Sequence, residues 1–82
     1  MELRFADDYG NVYIANEEHV ASGGATIAYT EIMGVAFKAP SFLTGGRIEI
    51  KRAAGPVYVT WKSKQKTAEA ENFYKFIQAK IG

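Results

Sequence analysis

At 82 residues, with no cysteine and a formal charge of +1 from ten basic and nine acidic side chains, the chain is one domain that must fold on an apolar core without disulfides or thiolate metal sites. The near-neutral balance argues against a protein whose affinity rests on neutralising many phosphates. No apolar run reaches signal-peptide length or the ~20 residues that span a bilayer, so the expectation is a soluble, cytoplasmic protein.

Leu3 and Phe5 alternate with Arg4 in a first strand that stops at the turn-forming run Asp7-Asp8-Tyr9-Gly10-Asn11. Val12 and Ile14 alternate with Tyr13 in a second. Residues 15–18 read as a polar turn before a weak strand at 19–22, and Gly23-Gly24 supplies the positive φ of a tight reversal. Ile27 and Tyr29 begin another alternation over 25–30. Residues 30–34 break the two-residue period and read as an irregular corner, after which Val35 and Phe37 restore it until Pro40, which has no N–H to give a ladder. Residues 41–46 form a loop closing on Gly45-Gly46, read as a hairpin turn. Ile48 and Ile50 then alternate with Arg47, Glu49 and Lys51. Beyond a turn at 53–56, Val57, Val59 and Trp61 alternate with Tyr58, Thr60 and Lys62.

Only residues 67–81 carry a helical period. Ala70, Phe73, Tyr74, Ile77 and Ile81 recur at spacings of three and four and share one face. Thr67 is the expected N-cap, Glu69 and Glu71 suit the positive end of the helix dipole, and Lys80 suits the negative end. Phe76 widens the apolar face. Burial of Phe73, Ile77 and Ile81 contributes roughly 1.5–3 kcal/mol each, a large share of a small domain's stability. Trp61, by its parity, belongs to the core beneath this helix.

Six or seven strands within residues 2–63 followed by one helix over 67–81 make a mainly β (α+β) fold. The expected form is a twisted antiparallel sheet closed into a sandwich or half-open barrel and capped by the C-terminal helix. An oligonucleotide-binding barrel places its helix between strands three and four, and a ferredoxin-like RNA-binding sheet needs two helices between strands; neither order is present. A smaller SH3-like or chromo-type barrel remains if two weak strands fail.

The runs Ile27-Ala28-Tyr29-Thr30-Glu31-Ile32-Met33-Gly34-Val35-Ala36-Phe37-Lys38, Leu43-Thr44-Gly45-Gly46-Arg47-Ile48 and Val57-Tyr58-Val59-Thr60-Trp61-Lys62-Ser63-Lys64-Gln65 resemble those of bacterial pleckstrin-homology-like (PH-like) domains. They are similar in particular to the N-terminal domain of small proteins that carry a short C-terminal oligomerisation segment (SHOCT). The resemblance covers nearly the whole chain and implies a strand-rich barrel with a terminal helix, and roles in oligomerisation, protein interaction and membrane-associated assembly. Eukaryotic pleckstrin-homology domains that bind phosphoinositides use basic residues on the loop joining their first two strands. Here that loop is Asp7-Asp8-Tyr9-Gly10-Asn11, whose carboxylates are expected to repel a headgroup, and residues 1–82 do not include a SHOCT segment.

Catalytic and metal chemistry find little to work with. His19 is the only histidine and has only carboxylates such as Glu17 and Glu18 for company. Ser22, Ser41 and Ser63 lie in turns or at strand ends without a nucleophile elbow. Asp7-Asp8 and Glu17-Glu18 read as solvated hairpin tips rather than an acid–base pair. Neither double glycine opens a helix or precedes a Lys-Ser or Lys-Thr pair, as a phosphate loop requires. The expectation is a protein that is not an enzyme, with no cofactor and no small-molecule substrate.

Two surface features remain. Tyr58, Lys62, Lys64 and Lys66 share the outward parity of the last strand and its extension, with Arg47 and Lys51 on the strand before. This basic stripe fits a phosphate backbone, an anionic membrane or an acidic protein, and equally a solvated face whose lysines guard a sheet edge. Phe42 and Leu43 lie in a loop with nothing polar to explain them. Exposed, they form a contact patch; folded back, they cap one end of the barrel, which is the reading adopted. The functional expectation is a non-catalytic interaction module, binding an unidentified protein or itself. The alternative is a weak binder of anionic surfaces, nucleic acid or membrane, through Arg47, Lys51, Lys62, Lys64 and Lys66.

Overall fold

The computed structural model describes residues 1–82. Seven strands form two antiparallel meanders in chain order. The first sheet contains β1 (Leu3–Ala6), β2 (Val12–Ala15), β3 (His19–Ser22) and β4 (Ala25–Ala28). The second contains β5 (Ile32–Lys38), β6 (Gly46–Arg52) and β7 (Val57–Trp61), and the chain ends in α1 (Thr67–Ile81). The strand-rich fold with a terminal helix is therefore as the alternation and the helical stripe predict. No hydrogen-bonded ladder joins the two sheets, so they do not close into a barrel. No helix is long and apolar enough to cross a membrane.

Register explains which side chains meet. In the first sheet Leu3, Ala15, Val20 and Ile27 stand opposite one another across the four strands, and Phe5 stands opposite Tyr13. Tyr13 and Ala15, rather than Val12 and Ile14, mark the core face of β2; Val12 is exposed, because the Tyr13 ring stacks on Phe5 at 6.3 Å between centroids. In the second sheet Phe37, Ile48 and Val59 form one inward row, Val35, Ile50 and Val57 another, and Gly46 stands opposite Trp61.

The irregular corner at residues 30–34 resolves into a single 3-10 turn, Tyr29–Glu31, and a register shift between Ile32 and Gly34. Tyr29 leaves the strand the alternation gave it, and its hydroxyl donates to the Asn16 carbonyl at 2.6 Å. Gly10, Gly23 and Gly24 have positive φ, as tight reversals require. Gly45 and Gly46 do not; their role is proximity to Trp61.

Helix α1 packs Ala70, Phe73 and Ile77 into the core, with Tyr74, Phe76 and Ile81 half-buried around them. Thr67 does not cap it. A 3-10 turn, Lys64–Lys66, runs directly into the helix, and Ser63 caps that turn by accepting from the Gln65 N–H at 3.3 Å. The Thr67 hydroxyl instead accepts from the Trp61 indole N–H at 3.2 Å. Trp61 is 1 % exposed and packs edge-on to Phe5 and tilted against Phe37, each at 5.7 Å. One side chain thus ties the two sheets and the helix start together.

A Cβ at Gly46 would stand inside van der Waals contact of three Trp61 ring atoms, the farthest at 2.9 Å. Gly46→Ala is expected to cost roughly 1–3 kcal/mol, as overpacking of a filled core does, read as a lowered urea midpoint. An unchanged midpoint would contradict this placement of the ring.

Candidate functional site

The outward positions of the second sheet form three cross-strand rows. Gly34 faces Lys51 at one end, Ala36, Glu49 and Tyr58 face one another in the middle, and Lys38, Arg47 and Thr60 do so at the other end. Lys62 follows β7 with the same parity as Thr60. Three exposed cations, Lys38, Arg47 and Lys62, therefore gather at the end of the sheet from which the β5–β6 loop leaves. Lys38 and Arg47 are directly opposite each other, an arrangement that costs stability between like charges. The ion pairs of the protein are Arg4 with Glu2, Lys75 with Glu71 and Lys80 with Glu17, so none of the three cations has an acidic partner.

Aromatic rings hold two of them in place. The Arg47 guanidinium lies 5.4 Å from the centre of the Tyr58 ring and the Lys62 ammonium 5.9 Å from that of Tyr9. Tyr9, Arg47, Thr60 and Lys62 line a shallow cleft of about 200 Å³ floored by Gly45, Gly46 and Trp61. Tyr9 reaches the cleft because its turn is anchored from both sides. Asp8 accepts from the backbone N–H of Lys62 at 2.6 Å and of Ser63 at 3.1 Å, bridging the two ends of the strand region. Asp7, only 5 % exposed, accepts from the Tyr9 N–H, the Asn11 N–H and the Asn11 side-chain amide at 2.8, 2.9 and 2.8 Å.

Asp7 is therefore a buried turn anchor rather than a solvated tip, and Asp8, though exposed, is tied to the backbone of the second sheet. Burial pushes the Asp7 carboxyl up, but the hydrogen bonds from Asn11 and Tyr9 and the charge of Lys66 outweigh it and hold the group below its ordinary value. Glu17, at the opposite pair, is lowered chiefly by its bond to Lys80.

The loop at residues 39–45 contains no ionisable side chain. Its apex is closed by Ser41 and Thr44: the Ser41 N–H donates to the Thr44 carbonyl at 2.8 Å, their hydroxyls lie 2.8 Å apart, and the Thr44 N–H donates to the Ser41 hydroxyl at 3.2 Å. Phe42 and Leu43, held between them, are 98 % and 85 % exposed. The expectation that they fold back to cap a barrel is therefore wrong. On the inward side of this end Trp61 and Phe37 pack against each other at 5.7 Å between ring centroids.

Of the residues singled out from sequence, Arg47, Tyr58 and Lys62 come together beside Phe42 and Leu43. Lys51 sits at the far end of its strand, beyond Glu49. Lys64 and Lys66 leave the stripe, because the strand ends at Trp61 and they belong to the 3-10 turn. Lys38 and Tyr9 join Arg47, Tyr58 and Lys62, two members that the sequence analysis does not single out. Lys38 shares the outward parity of its strand, a signal that would have found it, whereas Tyr9 arrives only through the Asp8 bridge. His19 lies 3.2 Å from the Asn16 amide, away from this surface. No family model, curated protein or solved structure matches the chain.

Phe42→Ser together with Leu43→Ser is expected to shift unfolding stability by less than about 0.5 kcal/mol, as surface changes do, since both side chains are already in water. A loss comparable to a core truncation would place them in the fold. The Asp7 contribution to stability is complete above the ordinary carboxylate range and is lost as pH falls below that range through the lowered folded value. Asp7→Asn is expected to be less stable at neutral pH and to lose less on acidification, measured as urea midpoints from neutral pH to below that range.

Proposed function

We propose that the chain is a non-catalytic interaction module of PH-like, half-open barrel type, docking through the Phe42–Leu43 tip and the adjoining cations. The order of four strands, three strands and a terminal helix supports the architecture that the sequence resemblance implies. The observation that carries the docking surface is the exposure of two large apolar side chains side by side on a loop whose hydroxyls bond each other. Full burial of the pair against a partner yields roughly 3–6 kcal/mol of favourable transfer, at about 1.5–3 kcal/mol for each side chain. Lys38, Arg47 and Lys62 add that the partner carries negative charge where the apolar contact ends. Their one-sided arrangement orients the module and raises its rate of encounter more than its affinity.

Placing a photo-activatable benzoylphenylalanine at position 42 of the intact chain tests this in the cells that make it. Irradiation is expected to trap an adduct at position 42 in several-fold greater yield than the same group at Lys75, exposed on the helix. Equal yields at the two positions would overturn the assignment of the contact surface.

A further inference from the structure

The partner's chemistry follows from how the tip is built, and rests on the docking surface proposed above. We propose that the Phe42–Leu43 tip inserts into the interface of an anionic phospholipid bilayer, with Lys38, Arg47 and Lys62 resting on the headgroup phosphates.

Three observations favour a bilayer over a protein partner. The first is the apex itself. Ser41 and Thr44 direct their hydroxyls and amide N–H groups at each other, and the large side chains that the apex presents outward are Phe42 and Leu43. A protein contact is oriented by hydrogen bonds at its rim; a bilayer needs none from the tip and rewards their internal satisfaction. The amides of Phe42 and Leu43 remain free to keep water, which sets the depth at the boundary of headgroups and acyl chains rather than the hydrocarbon centre.

The second is the placement of charge. Loop residues 39–45 hold no acid that would be carried toward phosphate, while Lys38 and Arg47 form the closing cross-strand pair from which the loop rises. Their mutual repulsion in the free protein is relieved when both face an anionic plane. Lys62, its ammonium 5.9 Å from the centre of the Tyr9 ring, adds a third cation at the same end of the sheet. Apolar insertion and cation attachment are the two signals that together hold a small protein at an interface, neither being sufficient alone.

The third is the poor fit of a second copy. The most acidic concavity of the chain, about 400 Å³ between Met1, Glu2, Asn16, Glu17 and Glu18, has Glu17 spent on Lys80 and Glu2 on Arg4. It therefore offers little charge to answer the cationic row.

Phe42→Trp reports on the tip, because the one native tryptophan, Trp61, is buried and gives a constant background. With phosphatidylcholine vesicles containing phosphatidylglycerol, its emission is expected to shift to the blue and to be quenched by bromines on the upper acyl carbons. Phosphatidylcholine alone is expected to bind at least tenfold more weakly. In flotation with the anionic vesicles, Phe42→Ser with Leu43→Ser and, separately, Lys38→Gln with Arg47→Gln are each expected to lose at least tenfold in bound fraction, with circular dichroism unchanged. Soluble polyglutamate at equal charge serves as the control for a polyanion without a bilayer and is not expected to shift the emission.

No shift with anionic vesicles would overturn the bilayer. So would binding that survives loss of Phe42 and Leu43, or an equal shift with polyglutamate. If vesicles fail while the photo-adduct at position 42 forms on a protein, the docking surface stands and the bilayer falls; if both fail, the docking surface falls as well.

Discussion

The packing of Trp61 is the constraint on which the rest depends. Its ring fills the space between β1, β5, β6 and the start of α1, touching Phe5 and Phe37 and donating its N–H to Thr67. Two sheets that share no ladder have only side-chain packing to hold them in register with each other, so a large, singly oriented ring at their junction does what hydrogen bonds do within each sheet. It also dictates local sequence. Gly45 and Gly46 are small because the Trp61 backbone and ring occupy the space where a Cβ would stand, not because the chain must reverse there.

The surface follows from that core. The loop joining β5 and β6 leaves this end of the sheet with its apolar residues, Phe42 and Leu43, outside. Alternation on the same three strands that sends Phe37, Ile48 and Val59 inward sends Lys38, Arg47 and Lys62 outward at the loop end. Asp8 then secures Lys62 and Ser63 through their backbone, leaving the lysine charge unpaired while fixing the strand exit that carries it. A stabilising network and an uncompensated surface are thus built from adjacent atoms. Lys38 opposite Arg47 places like charges across the ladder, a local cost in stability at this end of the sheet.

What could be read from sequence was what depends on period. The terminal helix, its buried stripe of Ala70, Phe73 and Ile77, the core position of Trp61 and the outward parity of Arg47, Tyr58 and Lys62 all follow from spacing alone. What could not be read depends on partners distant in the chain. Thr67 has the chemistry of an N-cap, yet the Trp61 indole claims its hydroxyl. Asp7 and Asp8 look like turn acids, yet one is buried in its own turn and the other reaches across 54 residues to the end of the second sheet. Val12 and Ile14 satisfy an alternating pattern as well as Tyr13 and Ala15 do, and the Phe5 ring decides between them. Phe42 and Leu43 stand outside on an apex closed by Ser41 and Thr44, a pairing that no period in the sequence marks. Lys64 and Lys66 fit the stripe only if the strand continues past Trp61, and strand ends are poorly marked when the next element is another turn.

The position of the indole is the origin of the contact between the two sheets and of the small residues at the base of the β5–β6 loop. The most direct measurement of that origin is the intrinsic fluorescence of the unmodified protein, since Trp61 is its only tryptophan. The account predicts blue-shifted emission, resistant to quenching by acrylamide, that persists up to denaturant concentrations at which the helical circular dichroism signal is lost in the same transition. Water-exposed emission in the native protein, or quenching well before the helix melts, would contradict it.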